Sequence, residues 1–201
     1  MRMQLIERII FAFYVFILWG CIKSDPNEPG YNYKINLDKL KNDKLPVELS
    51  FTGTLNDTGY FYLPEIVPGI YDNLNFGKYV SNFQAFNIRG QSLKVNKIDE
   101  NCWEIIGTGK STHIKYDIDD GWEKFDFEGI RPYRSAESHF DTSVMILNTN
   151  SIFGYFRNNR NIPFRIKIEK PEKLYAATRL SSVVHSQNED EYFAENYRKL
   201  V

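Results

Sequence analysis

Between Val47 and Phe51 the apolar side chains Val47, Leu49 and Phe51 alternate with Glu48 and Ser50, and the same period of two returns at Ile114, Tyr116 and Ile118 against His113, Lys115 and Asp117. Successive side chains of a strand point to opposite faces, so this pattern fits a half-buried strand and does not fit a helix. Similar extended runs occur at Tyr31–Leu37, Phe83–Ile88, Trp103–Ile106, Ser143–Leu147, Phe164–Ile168 and Leu174–Leu180. Between them stand turn residues: Asn56-Asp57, Arg89-Gly90, Asp119-Asp120-Gly121, Asn158-Asn159 and Lys170-Pro171. Many short strands without long helical patterns between them predict an all-β, antiparallel β-sandwich-like domain. One helix is expected at the C-terminal end, over Glu189–Leu200, where Phe193, Tyr197 and Leu200 recur at spacings of four and three.

The chain of 201 residues contains 13 Tyr and 15 Phe, enough apolar surface to build a core rather than a disordered chain. A net charge of −1 supplies no basic surface for nucleic acid. Only two cysteines are present, so a disulfide-stapled scaffold is excluded if Cys21 is taken by another role, and Cys102 beside Trp103 reads as a small buried residue.

Residues 1–21 read as a lipoprotein-type signal segment: Arg2 and Arg8 are positive, Ile9 to Leu18 are apolar, and Leu18-Trp19-Gly20-Cys21 is similar to a bacterial lipoprotein cleavage box. The expectation is a lipid on Cys21 and a place in the bacterial cell envelope, with a plain anchor or an ordinary signal peptide as the alternatives. Ile9 to Gly20 is shorter than the roughly 20 apolar residues that cross a bilayer as a helix. Residues 22–30, with Pro26, Pro29 and Gly30, then form a tether, and residues 31–201 form the β-rich domain.

Apparent site motifs dissolve on their own spacing. Gly107-Thr108-Gly109-Lys110-Ser111 lacks the earlier glycine of a phosphate-binding loop and is followed by a strand pattern, so a hairpin connection is expected. Asp117, Asp119 and Asp120 suggest a calcium loop closed by Glu128, but Gly121 stands one position early for the required turn, and a solvated turn is the simpler reading. His113, His139 and His185 never form the two-histidine helical pair that binds zinc, and they read as solvated. Glu137 and Asp141 flank His139 without a nucleophile or second base.

The stretch Leu63-Pro64-Glu65-Ile66-Val67-Pro68-Gly69-Ile70-Tyr71 carries a further signal. It is followed in order by Phe76, Val80, Phe83, Ala85, Gly90, Leu93, Lys97 and Trp103, then Asn148, Ser151, Phe153, Gly154 and Tyr155, then Pro163, Pro171, Phe193 to Tyr197 and Leu200-Val201. This series resembles the N-terminal domain of the glycyl-aminopeptidase-type zinc metallopeptidases of the thermolysin-like clan. In that family the first motif usually has tryptophan where this chain has Ile66 and serine where it has Ile70.

The resemblance implies a non-catalytic N-terminal domain, serving as a substrate-cleft or interaction domain, in a truncated or split homologue. It implies no cofactor for this chain, since zinc would belong to the catalytic domain. Expected partners are the membrane, through the lipid anchor, and a peptidase domain in trans or a peptide ligand. The alternative is a stand-alone surface lipoprotein that binds peptide, protein or glycan. The candidate binding surface comprises Pro68, Gly69 and Tyr71, which form a turn, together with Asn148, Asn150, Ser151, Phe153 and Tyr155, which mix hydrogen-bonding and aromatic groups. Phe193, Tyr197 and Leu200 are the candidate interface with a partner domain, as an apolar strip on the exit helix.

Overall fold

A computed structural model of the chain describes residues 28–67, 69–70, 72–122, 136–141 and 144–201. The alternating runs become strands: β1 Gly30–Asn36, β2 Lys44–Thr52, β3 Thr58–Tyr62, β4 Val80–Asn87, β5 Lys94–Lys97, β6 Cys102–Ile106 and β7 Ser111–Asp119. A small hairpin follows, β8 His139–Phe140 and β9 Met145–Ile146, then the helix α1 Thr149–Ile152 and β10 Tyr155–Phe156. The chain continues through β11 Phe164–Glu169, β12 Ser181–His185 and β13 Glu189–Ala194 to a second short helix, α2 Tyr197–Leu200. Among the described residues no helix is long and apolar enough to cross a membrane.

A seven-stranded sheet, in the order β12-β13-β11-β1-β2-β7-β4, faces a four-stranded sheet in the order β10-β3-β6-β5. All pairings are antiparallel except β1 with β11, which run parallel from Tyr31↔Phe164 to Asn36↔Glu169. The expected antiparallel sandwich is thus present among the described residues, with this one parallel ladder added. β11 returns to the free side of β1 only after the chain has built the second sheet, and a long crossover of that kind permits a parallel pair. The glycine-rich segment 107–110 is also not a hairpin, because it links β6 of the small sheet to β7 of the large one.

The large sheet sends Tyr31, Tyr33, Ile35, Val47, Leu49 and Phe51 inward, and Ile114, Tyr116, Phe164 and Ile166 join them in the core. Phe61, Trp103 and Ile105 of the small sheet meet them. The outward positions carry the charges: Lys34 pairs with Glu169 at 2.6 Å and Lys167 with Glu189 at 2.6 Å. Such exposed pairs contribute at most about 1 kcal/mol each, so apolar burial dominates the stability.

Aromatic rings fill the space between the sheets. Tyr31 stacks on Phe164 with centroids 4.2 Å apart, Tyr33 meets Phe153 edge-on at 4.8 Å, and Phe83 stacks on Trp103 at 4.9 Å. Burying tyrosine also buries a hydroxyl, which must find a partner. Tyr33 donates to the Gly154 carbonyl at 2.7 Å, Tyr116 to the Ile152 carbonyl at 2.6 Å and Tyr197 to the Phe153 carbonyl at 3.3 Å. Tyr31 accepts from the Phe156 N–H at 2.8 Å. Gly154 is needed at the crossing because a Cβ there would stand 2.4 Å from the Phe61 ring and 2.5 Å from the Tyr62 carbonyl oxygen.

The C-terminal segment departs from the sequence expectation. Residues 189–194 are not helical: β13 pairs with β11 from Phe164↔Ala194 to Glu169↔Glu189, and only Tyr197–Leu200 form a helix. Asp190, Tyr192 and Ala194 point into the domain and are buried, which is a strand's period of two. The run Leu174–Leu180, expected as a strand, has no ladder partner and forms an irregular strap.

Two tests follow from this core. Gly154→Ala should destabilise the domain by about 1–3 kcal/mol through overpacking against Phe61, read as a lower denaturant midpoint. Burial holds the hydroxyls of Tyr31, Tyr33, Tyr116 and Tyr197 above their ordinary value. A raised folded-state pKa gives stability that is complete below the unfolded value of about 10 and lost as pH rises above it. Tyrosinate absorbance from these residues should therefore grow only together with loss of the circular dichroism signal.

Candidate functional site

The Leu63–Tyr71 motif leaves β3 at one end of the sandwich. Its backbone is tied down from both sides: Leu63 N–H donates to the Asn101 carbonyl, and the Glu65 carbonyl accepts from both Leu74 and Asn75. The Ile70 N–H returns to the Val67 carbonyl at 3.1 Å, and Gly69 takes a φ of +89° with open space around it. The expected reversal is thus present at Gly69, a conformation glycine adopts without strain. Pro68 and Tyr71 lie outside the described residues. Ile66, at the departure from the family pattern, is 56% exposed.

The second predicted segment sits beside it but turns its chemistry inward. Asn148 caps α1, its side-chain oxygen accepting from the Asn150 N–H at 3.2 Å. Ser151 is buried, with its hydroxyl 2.6 Å from that of Ser138, which also accepts from the Asn148 N–H at 2.9 Å. Phe153 belongs to the core. Tyr155 is half-buried, stacked on Tyr62 at 6.2 Å and tilted against Tyr197 at 4.5 Å. A one-turn helix must use its polar residues for its own ends.

Beyond the end of β7 lies a polar cluster that the sequence reading placed in solvent. Asp120 is buried; its Oδ1 accepts from Trp122 N–H at 2.7 Å, and its Oδ2 accepts from Phe140 N–H at 2.6 Å and lies 2.9 Å from His139 Nδ1. His139 stacks flat on Trp122 at 4.4 Å. Asp119 Oδ1 meets Lys44 Nζ at 2.5 Å, Asp117 accepts from Asn82 at 2.7 Å, and Tyr79 donates to Glu137 at 2.5 Å. These partners replace the expected solvated turn and solvated His139. Each aspartate of the calcium-like motif has a different protein partner, and Glu128 lies outside the described residues. Among the described residues no group of three or more His, Cys, Asp or Glu is placed to hold a metal ion.

The other histidines have partners too: His113 Nδ1 lies 3.0 Å from Ser50 Oγ, and the exposed His185 lies 2.6 Å from the buried Asp190. Cys102 is buried, and burial pushes its thiol above the ordinary value.

Sequence reasoning missed an apolar groove of about 410 Å³ on the inner face of β11 and β13. Met145, Leu147, Phe153, Ile166, Leu174 and Tyr175 are among its walls. Tyr175 stands 85% exposed at its edge. Lys170, buried beside Asp190 at 3.8 Å, donates to the carbonyls of Leu174, Ser186 and Gln187 and so fastens the 171–187 excursion to β11. The missed signal lay in Lys170-Pro171, read only as a turn.

Phe193, Tyr197 and Leu200 do not share a strip. Tyr197 and Leu200 are buried in the core, whereas Phe193 is half-buried on the opposite face of β13, with the Arg165 guanidinium 5.2 Å from its ring centroid. The separation follows from the strand-to-helix change at Glu195-Asn196.

The order of motif loop, α1, β10 and C-terminal strand can now be set against known families. The profile of the peptidase M61 N-terminal domain matches residues 32–201. This chain belongs to that family. Its fold is similar to that of an aminopeptidase N family protein from Idiomarina loihiensis, with a TM-score of 0.71 at 20% identity over 85% of this chain. An M1 zinc metallopeptidase from Deinococcus radiodurans aligns over 83% of this chain at 12% identity and a TM-score of 0.43, covering 38% of that protein. The chain spans 28% of the length of the Idiomarina protein. A comparison with curated proteins finds no match. The M61 N-terminal domain is thus a β-rich sandwich.

Because Asp119 and Asp120 are held by Lys44, His139 and backbone N–H groups, a chelator should leave the far-ultraviolet circular dichroism and thermal midpoint of this M61 domain unchanged. A fall in the midpoint on chelation, reversed by added calcium or zinc, would falsify this account of the cluster.

Proposed function

We propose that residues 32–201 act as a non-catalytic domain of an aminopeptidase-like zinc metallopeptidase, helping to form or orient a substrate cleft. The observation that carries this reading is the M61 N-terminal match along residues 32–201. The peptidase chemistry, with its zinc, belongs in this reading to a separate domain supplied within a longer protein or in trans. The backbone hydrogen bonds at Leu63, Glu65 and Ile70 in the motif loop support a positioning role, since a loop that shapes a cleft must hold its backbone.

We further propose that Cys21 carries a lipid and holds the protein in the bacterial cell envelope, with residues 22–29 as the tether, since Gly30, expected to end it, already belongs to β1. Cys21→Ser should move the protein out of the membrane fraction and abolish fatty-acid labelling. Unchanged partitioning of that variant supports an uncleaved anchor instead. Several acyl chains on one cysteine anchor firmly where a single chain binds only marginally.

Purified, the 201-residue chain should release no N-terminal glycine from peptides, with or without added zinc. Adding an M61 peptidase domain in trans should restore hydrolysis. Zinc-dependent turnover by the chain alone would overturn the non-catalytic reading. A second reading, a stand-alone surface lipoprotein that binds peptide, protein or glycan, draws on the 410 Å³ groove and the exposed Tyr175. It is favoured if the chain binds such a ligand while no peptidase domain associates with it.

A further inference from the structure

The small sheet positions one guanidinium without neutralising it. Arg157 follows β10, and its backbone N–H donates to the Tyr60 carbonyl at 3.0 Å. Its guanidinium lies 5.2 Å from the Tyr60 ring centroid and 5.1 Å from that of Tyr62, and it donates through Nη2 to the Tyr62 hydroxyl. Its side chain forms no ion pair with any described carboxylate. Two ring faces and one hydroxyl hold the planar fork in a fixed direction, so less freedom is lost when its other N–H groups meet a ligand.

That fork borders a cleft of about 230 Å³, whose lining includes Thr54, Asn56, Thr58, Asn158 and Asn159. Asn159 leans on the Thr54 carbonyl at 3.5 Å, while the Asn56 carbonyl is engaged by the Thr108 hydroxyl at 2.5 Å. The side-chain amides of Asn56 and Asn158 make no hydrogen bond to the described residues, which leaves donors and acceptors around the guanidinium. On the same face Glu104 accepts from Asn96 and from Tyr60, each at 2.9 Å, and these bonds hold its carboxyl below the usual range and therefore ionised. Arg157 is the one charged side chain among the lining residues of the cleft, and a single guanidinium suits a ligand of single negative charge better than a phosphate dianion.

We propose that this cleft binds a small polar ligand through a free carboxylate, with Arg157 as the anchor. The two oxygens of a carboxylate match the guanidinium fork, the Asn56 and Asn158 amides meet the rest of the ligand, and the Tyr60 ring walls one side. A peptide C-terminus and a sugar acid both present this group. The site is separate from the partner-domain reading and does not depend on it.

The test uses the full chain with backbone amide chemical-shift mapping and calorimetry. The probes are N-acetyl-glycyl-glycine, its C-terminal amide, glucuronate and the methyl ester of glucuronate. The expected result is that a carboxylate form binds and shifts residues 54–60 and 156–159 while its neutral counterpart does not. Binding by the peptide alone, or by glucuronate alone, supports the proposal and identifies the source. Arg157→Gln should weaken binding by about tenfold or more, the loss expected for a charge-assisted pair, with Arg157→Lys between the two. The thermal midpoint of each variant establishes that it is folded, and the Lys variant keeps the charge if the Gln variant fails that check. Equal binding of neutral and charged forms, no binding by either carboxylate, or unchanged affinity in folded Arg157→Gln overturns the proposal.

Discussion

Within a core stabilised by apolar burial, buried tyrosine hydroxyls reach across the sandwich to one short stretch of backbone and fix its place. Tyr31, Tyr33, Tyr116 and Tyr197 come from β1, β7 and α2, yet their partners are confined to Ile152–Phe156. Each bond contributes about 1 kcal/mol net, while a buried carbonyl or hydroxyl left without a partner costs about 1–3 kcal/mol. The constraint is therefore stronger than the sum of its bonds. Moving 152–156 would break several of these bonds at once and leave buried polar groups without partners.

That constraint explains which parts of the fold were legible. β2 and β7 were, because each buries one face over nine residues and their alternation is long enough to exclude a helix. β13 was not. Phe193, Tyr197 and Leu200 fit a helical spacing, but Asp190, Tyr192 and Ala194 fit a strand, and in a run this short both periods are satisfied. The ladder with β11 decides it, and a partner twenty to thirty residues earlier leaves no local trace in the sequence. The strap 174–180 failed for a related reason: its residues are apolar enough for a strand, but Lys170 holds it against the sheet's face rather than its edge.

The site was legible in its backbone and illegible in its side chains. Pro68-Gly69 announced a turn because glycine's positive φ is a local property. Asn148, Ser151 and Phe153 were read together from the family pattern, but hydrogen-bonding capacity does not reveal direction. Ser151 spends its hydroxyl on Ser138, thirteen residues earlier, and Phe153 packs its ring against Tyr33 from the other end of the chain. His139 and Asp120 were misread in the opposite sense, since a turn-like composition concealed a part-buried hydrogen-bonded pair whose histidine stacks on Trp122. Long-range pairing is what separates a polar residue available to a ligand from one consumed by the fold.

The same pairing carries order from the core to the outer face of the small sheet. Tyr31 fixes the Phe156 N–H, and the next residue, Arg157, continues the connection through its own N–H to Tyr60. Phe156 turns inward against Phe51 and Phe61, so Arg157 is delivered to the side where Tyr60 and Tyr62 stand. A surface arginine ordinarily loses affinity for a ligand through the entropy of its long chain. Here its backbone is set by a buried hydroxyl and its head by two rings, both decided before any ligand arrives. The conformational cost of ordering that side chain is thus met in folding the sandwich, which suits Arg157 to the anchoring role proposed for it.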